Sequence, residues 1–274
     1  MRTTEPALAP DQIEAIWRTA EDLADLAAAR CMPLFRSAGL VAVNKSETGF
    51  DPVTRADREA EAAMREHLAR TRPQDAVLGE EFGPTSGVSG LTWVLDPIDG
   101  TRAFVSGAPS WGILIGLDAG RGPVLGLIDQ PYIGERFMGG LGRAIMRRRG
   151  VETPLATRAC VDLADAVLYS TFPEVGSAAE RAGFEAVRDR VRLTRYGLDC
   201  YAYALIALGQ VDLVIEAGLY AYDVQGPQGV IEAAGGVVSD WKGGPAHCGG
   251  RIVAAGDRRL HAAAVEILSS VSDG

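Results

Sequence analysis

Four carboxylates stand where the amino-acid sequence passes from an apolar run into a turn: Glu80 in GEE (79–81), Asp96 and Asp99 in DPIDGT (96–101), and Asp223 in YDV (222–224). Each lies at the end of an expected strand or the start of an expected helix, where side chains from separate elements converge. Hard oxygen ligands of this kind, supplemented by a backbone carbonyl such as that of Ile98, suit Mg²⁺. Cations held there recruit and polarise a phosphate group. Gly100 and Thr101 follow Asp99 directly and open a short helix, where free N–H groups favour an anion and glycine permits its close approach. The Thr101 hydroxyl can hold a water for attack if a carboxylate takes its proton, and Asp51 is the candidate base. The plainer reading of Asp96-Pro97-Ile98-Asp99-Gly100 is a turn, with Pro97 fixing φ and Asp and Gly at its ends.

A second phosphatase chemistry is excluded inside the motif itself. PIDGT looks like the DxDGT signature of the haloacid dehalogenase family, in which the nucleophilic aspartate stands two residues before the second one. Pro97 occupies that position here and cannot form an acyl phosphate. Metal-activated water is the mechanism that remains.

The elements that must position these residues follow from spacing. Apolar residues at helical intervals predict an amphipathic helix over 11–36, and Thr54 with Asp57 makes a capping-box start to a second helix running to about residue 70. Ala76-Val77-Leu78 and LTWVL (91–95) are strands that deliver Glu80 and Asp96 at their ends. WGILIGLDAGRGPVLGLIDQP reads as an antiparallel hairpin, with Trp111 and Tyr132 as packing or cleft-lining aromatics. Arg147-Arg148-Arg149 is expected to be a solvated loop, and a boundary is placed near residue 150. Beyond it, helices near 177–189, 199–209 and 223–235 alternate with strands in α/β fashion, ending in the strand RIVAA and a helix from about 257.

Composition sets the outer limits. With 274 residues, 47% of them hydrophobic, the chain can build a substantial core. A formal charge of −9 argues against a nucleic-acid or anionic-membrane surface, so an anionic substrate needs bound cations or local positive charge. Cys31, Cys160, Cys200 and Cys248 form no CxxC pair and are read as reduced core thiols. His67, His247 and His261 lack partners at metal spacing and are read as structural or solvated. The N-terminal stretch lacks the pattern of a secretory signal and no run approaches a membrane span, so a cytoplasmic location is expected.

The motifs DPVTRAD (51–57), GEE, DPIDGT and YDV followed by EAAGG (232–236) together resemble the inositol monophosphatase superfamily of metal-dependent, lithium-sensitive phosphatases. The resemblance implies an αβαβα sandwich of mixed α+β and α/β character. Its halves, 1–150 carrying most metal ligands and 151–274 completing the site, meet at the active centre. It also implies two or three Mg²⁺ ions bound by Glu80, Asp96, the Ile98 carbonyl, Asp99 and Asp223, a water oriented by Asp51 and Thr101, and a homodimer.

Within the superfamily, RYGLDCYAY (195–203), DGTRAF and VVSDWKGG are similar to the histidinol-phosphate phosphatase branch. Asp199 and Glu216 would then face a cationic amino-imidazole leaving group, and Arg102 and Arg195 would contact phosphate, brace the acids or form surface ion pairs. Asp99, Gly100, Thr101 and Asp223 complete the expected substrate contacts. Leu198 replaces a usual glycine, and Gly226-Pro227-Gln228-Gly229 stands where apolar helix residues are usual. Pro227 is tolerable there if it falls in a first turn. The rival readings are a phosphatase of inositol or other sugar phosphates, and a silent module that binds metal and phospho-ligand to regulate a partner.

Overall fold

The computed structural model describes residues 9–38, 40, 42–44 and 52–272. The chain opens with α1 (Pro10–Cys31), a small ribbon of β1 (Ala42–Asn44) and β2 (Pro52–Thr54), and α2 (Arg55–Thr71). Helix α1 is shorter than its apolar spacing predicts, because Pro33 has no N–H to continue the ladder. The start of α2 follows the predicted capping box: the Thr54 N–H donates to Asp57 Oδ2 at 2.8 Å, and the Ala56 N–H donates to Thr54 Oγ1 at 3.0 Å.

The first large sheet contains β3 (Ala76–Gly79), β4 (Gly83–Thr85), β5 (Thr92–Asp99), β6 (Gly112–Asp118), β7 (Pro123–Gln130), β8 (Glu135–Gly140), β9 (Arg143–Arg148) and β10 (Val151–Pro154). Its order is β10-β9-β8-β7-β6-β5-β3-β4, and a short helix, α3 (Thr101–Ser106), leaves β5. The second sheet contains β11 (Val167–Ser170), β12 (Leu193–Tyr196), β13 (Leu213–Tyr220), β14 (Val237–Asp240) and β15 (Gly249–Ala255), in the order β12-β11-β13-β15-β14. The helices α4 (Ala178–Arg188), α5 (Cys200–Ala207), α6 (Ala221–Ala233) and α7 (Arg258–Leu268) complete the chain. Helices α1 and α2 cover one face of the first sheet, α5 and α6 lie between the sheets, and α4 and α7 cover the far face of the second. The layering is αβαβα.

Two local expectations are corrected. The arginine run is not a loop. Arg147 and Arg148 lie in β9, and the chain turns through Arg149 (φ 51°) and Gly150 (φ 78°) into β10. Both turn residues have the positive φ that a two-residue hairpin matching strand twist requires. Arg147 is paired with Glu21 of α1 at 2.5 Å and Glu152 of β10 at 2.6 Å, which turns the charge run into a clamp on the first helix.

Pro227 does not fall in the first turn of α6 but inside it. There it withholds the N–H that would bond to the Asp223 carbonyl, a cost offset by packing. The helix lies almost on the backbone of the sheet. A methyl carbon at Gly126 would stand 2.1 Å from the Gly226 carbonyl oxygen, and one at Gly229 would stand 2.5 Å from the Gly126 nitrogen. Glycines on both surfaces permit this approach, which explains the departure from apolar helix residues.

Candidate active site

Three elements deliver the acids. Glu80 directly follows the end of β3, β5 carries Asp96 and Asp99, and the first turn of α6 carries Asp223. The DPID segment is a continuation of β5 whose pairing with β6 shifts register between Asp96 and Asp99. Such an irregularity re-aims side chains and takes a carbonyl out of the ladder. The plain turn reading therefore gives way to a bulged strand, and the Ile98 carbonyl accepts the Thr101 hydroxyl at 3.1 Å. Gly100 follows at φ +78°, and a methyl carbon there would stand 2.8 Å from Asp199 Cγ, so the position requires glycine on both counts.

Carboxylate oxygens of Asp96, Asp99 and Asp223 lie within 4.8 Å of one another. Each acid is also fixed by a backbone donor. The Ile98 N–H donates to Asp96 Oδ1 at 3.0 Å, the Cys200 N–H at the head of α5 to Asp99 Oδ2 at 2.7 Å, and the Tyr220 N–H to Asp223 Oδ2 at 2.6 Å. Burial first, then the charges of Glu80, Asp99 and Asp223, push the Asp96 carboxyl well above its ordinary range. Asp99 is raised by burial and then by Asp199 and Asp223. Glu80 reaches Asp96 closely enough to share a hydrogen bond with it. An all-oxygen set of crowded acids fits a small divalent cation, which would reverse each of these unfavourable terms.

The cluster opens into a cleft of about 460 Å³ whose lining includes Glu80, Asp99, Gly100, Thr101, Asp199, Glu216 and Asp223. Among the described residues that line it Arg102 is the only basic one, and its guanidinium lies 5.0 Å from the centre of the Phe172 ring. Asp199, at φ 48°, accepts the Ser110 hydroxyl at 2.7 Å, and burial raises its carboxyl against the opposing pull of Ser110 and Arg102. Glu216 is raised by burial although it accepts the Thr171 N–H and hydroxyl and, at 2.8 Å, the Tyr203 hydroxyl. Its bonds tie β11 and α5 together, so it shapes the cleft wall.

Some expected residues stand elsewhere. Arg195 is exposed on β12 and does not line the cleft, and Leu198 packs into the core between the sheets. Trp111 is fully buried against Phe35 and Phe104, and Tyr132 packs on Phe35, so both are packing residues. His67 faces Asp22 at 3.6 Å, while His247 and His261 border a separate cavity. Asp51 lies outside the described residues.

Several contributors were not singled out from sequence. Glu61, fully buried on α2, accepts the Glu81 N–H at 2.7 Å and so holds the turn that presents Glu80. A methyl carbon at Gly79 would stand 2.0 Å from its Oε1, which gives the first residue of GEE a packing role. Ser110, Thr171 and Tyr203 are the others. A buried glutamate on the otherwise polar α2 offered no spacing signal, and single hydroxyl residues offered none either.

Known proteins resemble this chain throughout its length. The model of the inositol monophosphatase family matches residues 12–273. The chloroplastic bifunctional phosphatase IMPL2 of Arabidopsis thaliana is 43% identical over 230 residues, which are 80% of this chain and 66% of that longer protein. A histidinol-phosphatase of Streptomyces coelicolor is 35% identical over 260 residues, covering 92% of this chain and 96% of its own. Among solved structures, an inositol monophosphatase from Zymomonas mobilis superposes with a TM-score of 0.81 at 37% identity, covering 96% of this chain and 100% of that one. With the layered fold, the acid cluster and a match over nearly every residue in agreement, the chain belongs to the inositol monophosphatase family of metal-dependent phosphatases.

Proposed function

We propose that this chain is a Mg²⁺-dependent phosphomonoesterase that hydrolyses histidinol phosphate to histidinol and phosphate. One observation carries the substrate choice. Beyond the acid cluster the cleft presents Asp199 and Glu216, with Arg102 as the single basic residue among the described residues that line it, a surface suited to a cationic leaving group rather than a polyol. The resemblance to the Streptomyces coelicolor enzyme supports the same choice.

On this reading Glu80, Asp96, Asp99, Asp223 and the Ile98 carbonyl hold two or three Mg²⁺ ions, which supply Lewis acidity and lower the pKa of water. Residues 1–150 bring most of these ligands and 151–274 complete the site. Thr101, its hydroxyl already directed to the Ile98 carbonyl at 3.1 Å, orients the attacking water, and Asp51 accepts its proton. Gly100 leaves room for the phosphate and Arg102 neutralises part of its charge. The protein works as a homodimer in the cytoplasm. No described helix is long and apolar enough to cross a membrane.

Phosphate release from histidinol phosphate and inositol phosphate, side by side with and without Mg²⁺, tests the assignment. Faster turnover of inositol phosphate would instead favour the second reading, which the likeness to the Zymomonas mobilis enzyme supports. Asp51→Asn separates catalysis from a silent binding role. The expected outcome is loss of turnover with retained ligand binding.

A further inference from the structure

Two large aromatic side chains stand exposed in the same acidic cleft: Phe172 at 45% and Tyr220 at 63%. Neither is carried on a loose backbone. Phe172 follows Thr171, whose N–H donates to Glu216 Oε1 at 2.8 Å. Tyr220 closes β13 beyond a register shift between Glu216 and Leu219, an irregularity that re-aims the side chains after it. Gly249, at φ +85°, lets β15 press onto this segment, since a methyl carbon there would stand 2.4 Å from the Leu219 carbonyl oxygen and 2.7 Å from the Tyr220 carbonyl carbon. The Tyr220 N–H is bonded to Asp223 at 2.6 Å, which sets the position of Tyr220 relative to the acid cluster. Behind it, Tyr222 stacks on the ring at 5.2 Å with an interplanar angle of 21°.

We propose that Tyr220 is a specificity-determining residue: a stacking platform for a planar ring on the leaving alcohol, in the cleft that Phe172, with Arg102 over its ring, also lines. The face of the tyrosine ring carries negative potential and attracts a flat cationic or electron-poor ring, while a polyol gains little from it. The inference rests on the phosphatase reading above and narrows its substrates to phosphomonoesters whose alcohol bears such a ring.

The test compares the wild type, Tyr220→Ala and Tyr220→Phe with Mg²⁺, on histidinol phosphate and on glycerol 2-phosphate, which has no ring. In Tyr220→Ala the KM for histidinol phosphate should rise about tenfold with kcat nearly unchanged, and the preference over glycerol 2-phosphate should fall by the same factor. Tyr220→Phe should keep the preference, because it keeps the ring. Equal losses on both substrates would mean a structural role and overturn the proposal. If the wild type does not hydrolyse histidinol phosphate, the substrate reading fails by itself. The platform is then measured with 4-nitrophenyl phosphate against glycerol 2-phosphate, and an unchanged preference in Tyr220→Ala would sink it.

Discussion

Asp57 shows what a single buried carboxyl costs this protein. Burial raises it to about 6 in spite of the bonds it accepts from Thr54. A folded-state value above the unfolded one means that the folded protein holds the extra proton between pH ~4 and ~6, so stability falls as pH rises through that window and levels off above it. Asp57→Asn keeps an acceptor oxygen without the charge. Its stability relative to wild type should therefore increase by roughly 2–3 kcal/mol between pH ~4 and ~6, measured by urea unfolding at each pH. The acid cluster gives the opposite balance between function and stability. Asp99→Asn should lower turnover at least about a thousandfold and weaken Mg²⁺ binding, yet raise the stability of the metal-free protein by relieving repulsion from Asp199 and Asp223. Activity assays and calorimetry in chelator measure the two effects separately.

Among the elements, α6 is the one on which most depends, because it carries Asp223 at one end and lies against the first sheet along its length. Gly229→Ala would place a carbon 2.5 Å from the Gly126 nitrogen. The overpacked helix must move, with an expected cost of about 1–3 kcal/mol and a matching loss of Mg²⁺ affinity, read by thermal unfolding and metal titration. This helix was also the hardest to read from sequence. Its Gly-Pro-Gln-Gly stretch opposes helix propensity, and only contact with Gly116, Gly126 and Gly139 shows why glycine is needed. Helix α2, with its Thr54–Asp57 box, and the β6–β7 hairpin were legible because capping and alternation are local. The β9–β10 hairpin was not. Three arginines in a row hide a strand whose charges find partners on α1 and β10, information that no window of sequence contains. The same distinction holds in the site: Glu80, Asp96, Asp99 and Asp223 announce themselves in motifs, whereas Glu61 and Thr171 acquire a role only when distant backbone arrives beside them.

At the scale of the whole molecule, the acid cluster joins the first sheet to the helix layer between the sheets. A cation held by Asp96, Asp99 and Asp223 binds the folded state alone, and Mg²⁺ at a hundredfold its Kd should add about 2.7 kcal/mol of stability. The melting temperature should rise with Mg²⁺ and return on chelation, with the shift largely lost in Asp99→Asn. The bond from the Cys200 N–H to Asp99 spans 101 residues and that from Ser110 to Asp199 spans 89. Loops of that length close late during refolding, after the hairpins of the first sheet have formed. Diluted from denaturant, the chain should bury Trp93 before it regains catalytic competence, and the interval between fluorescence recovery and activity recovery times the docking of α5 onto β5.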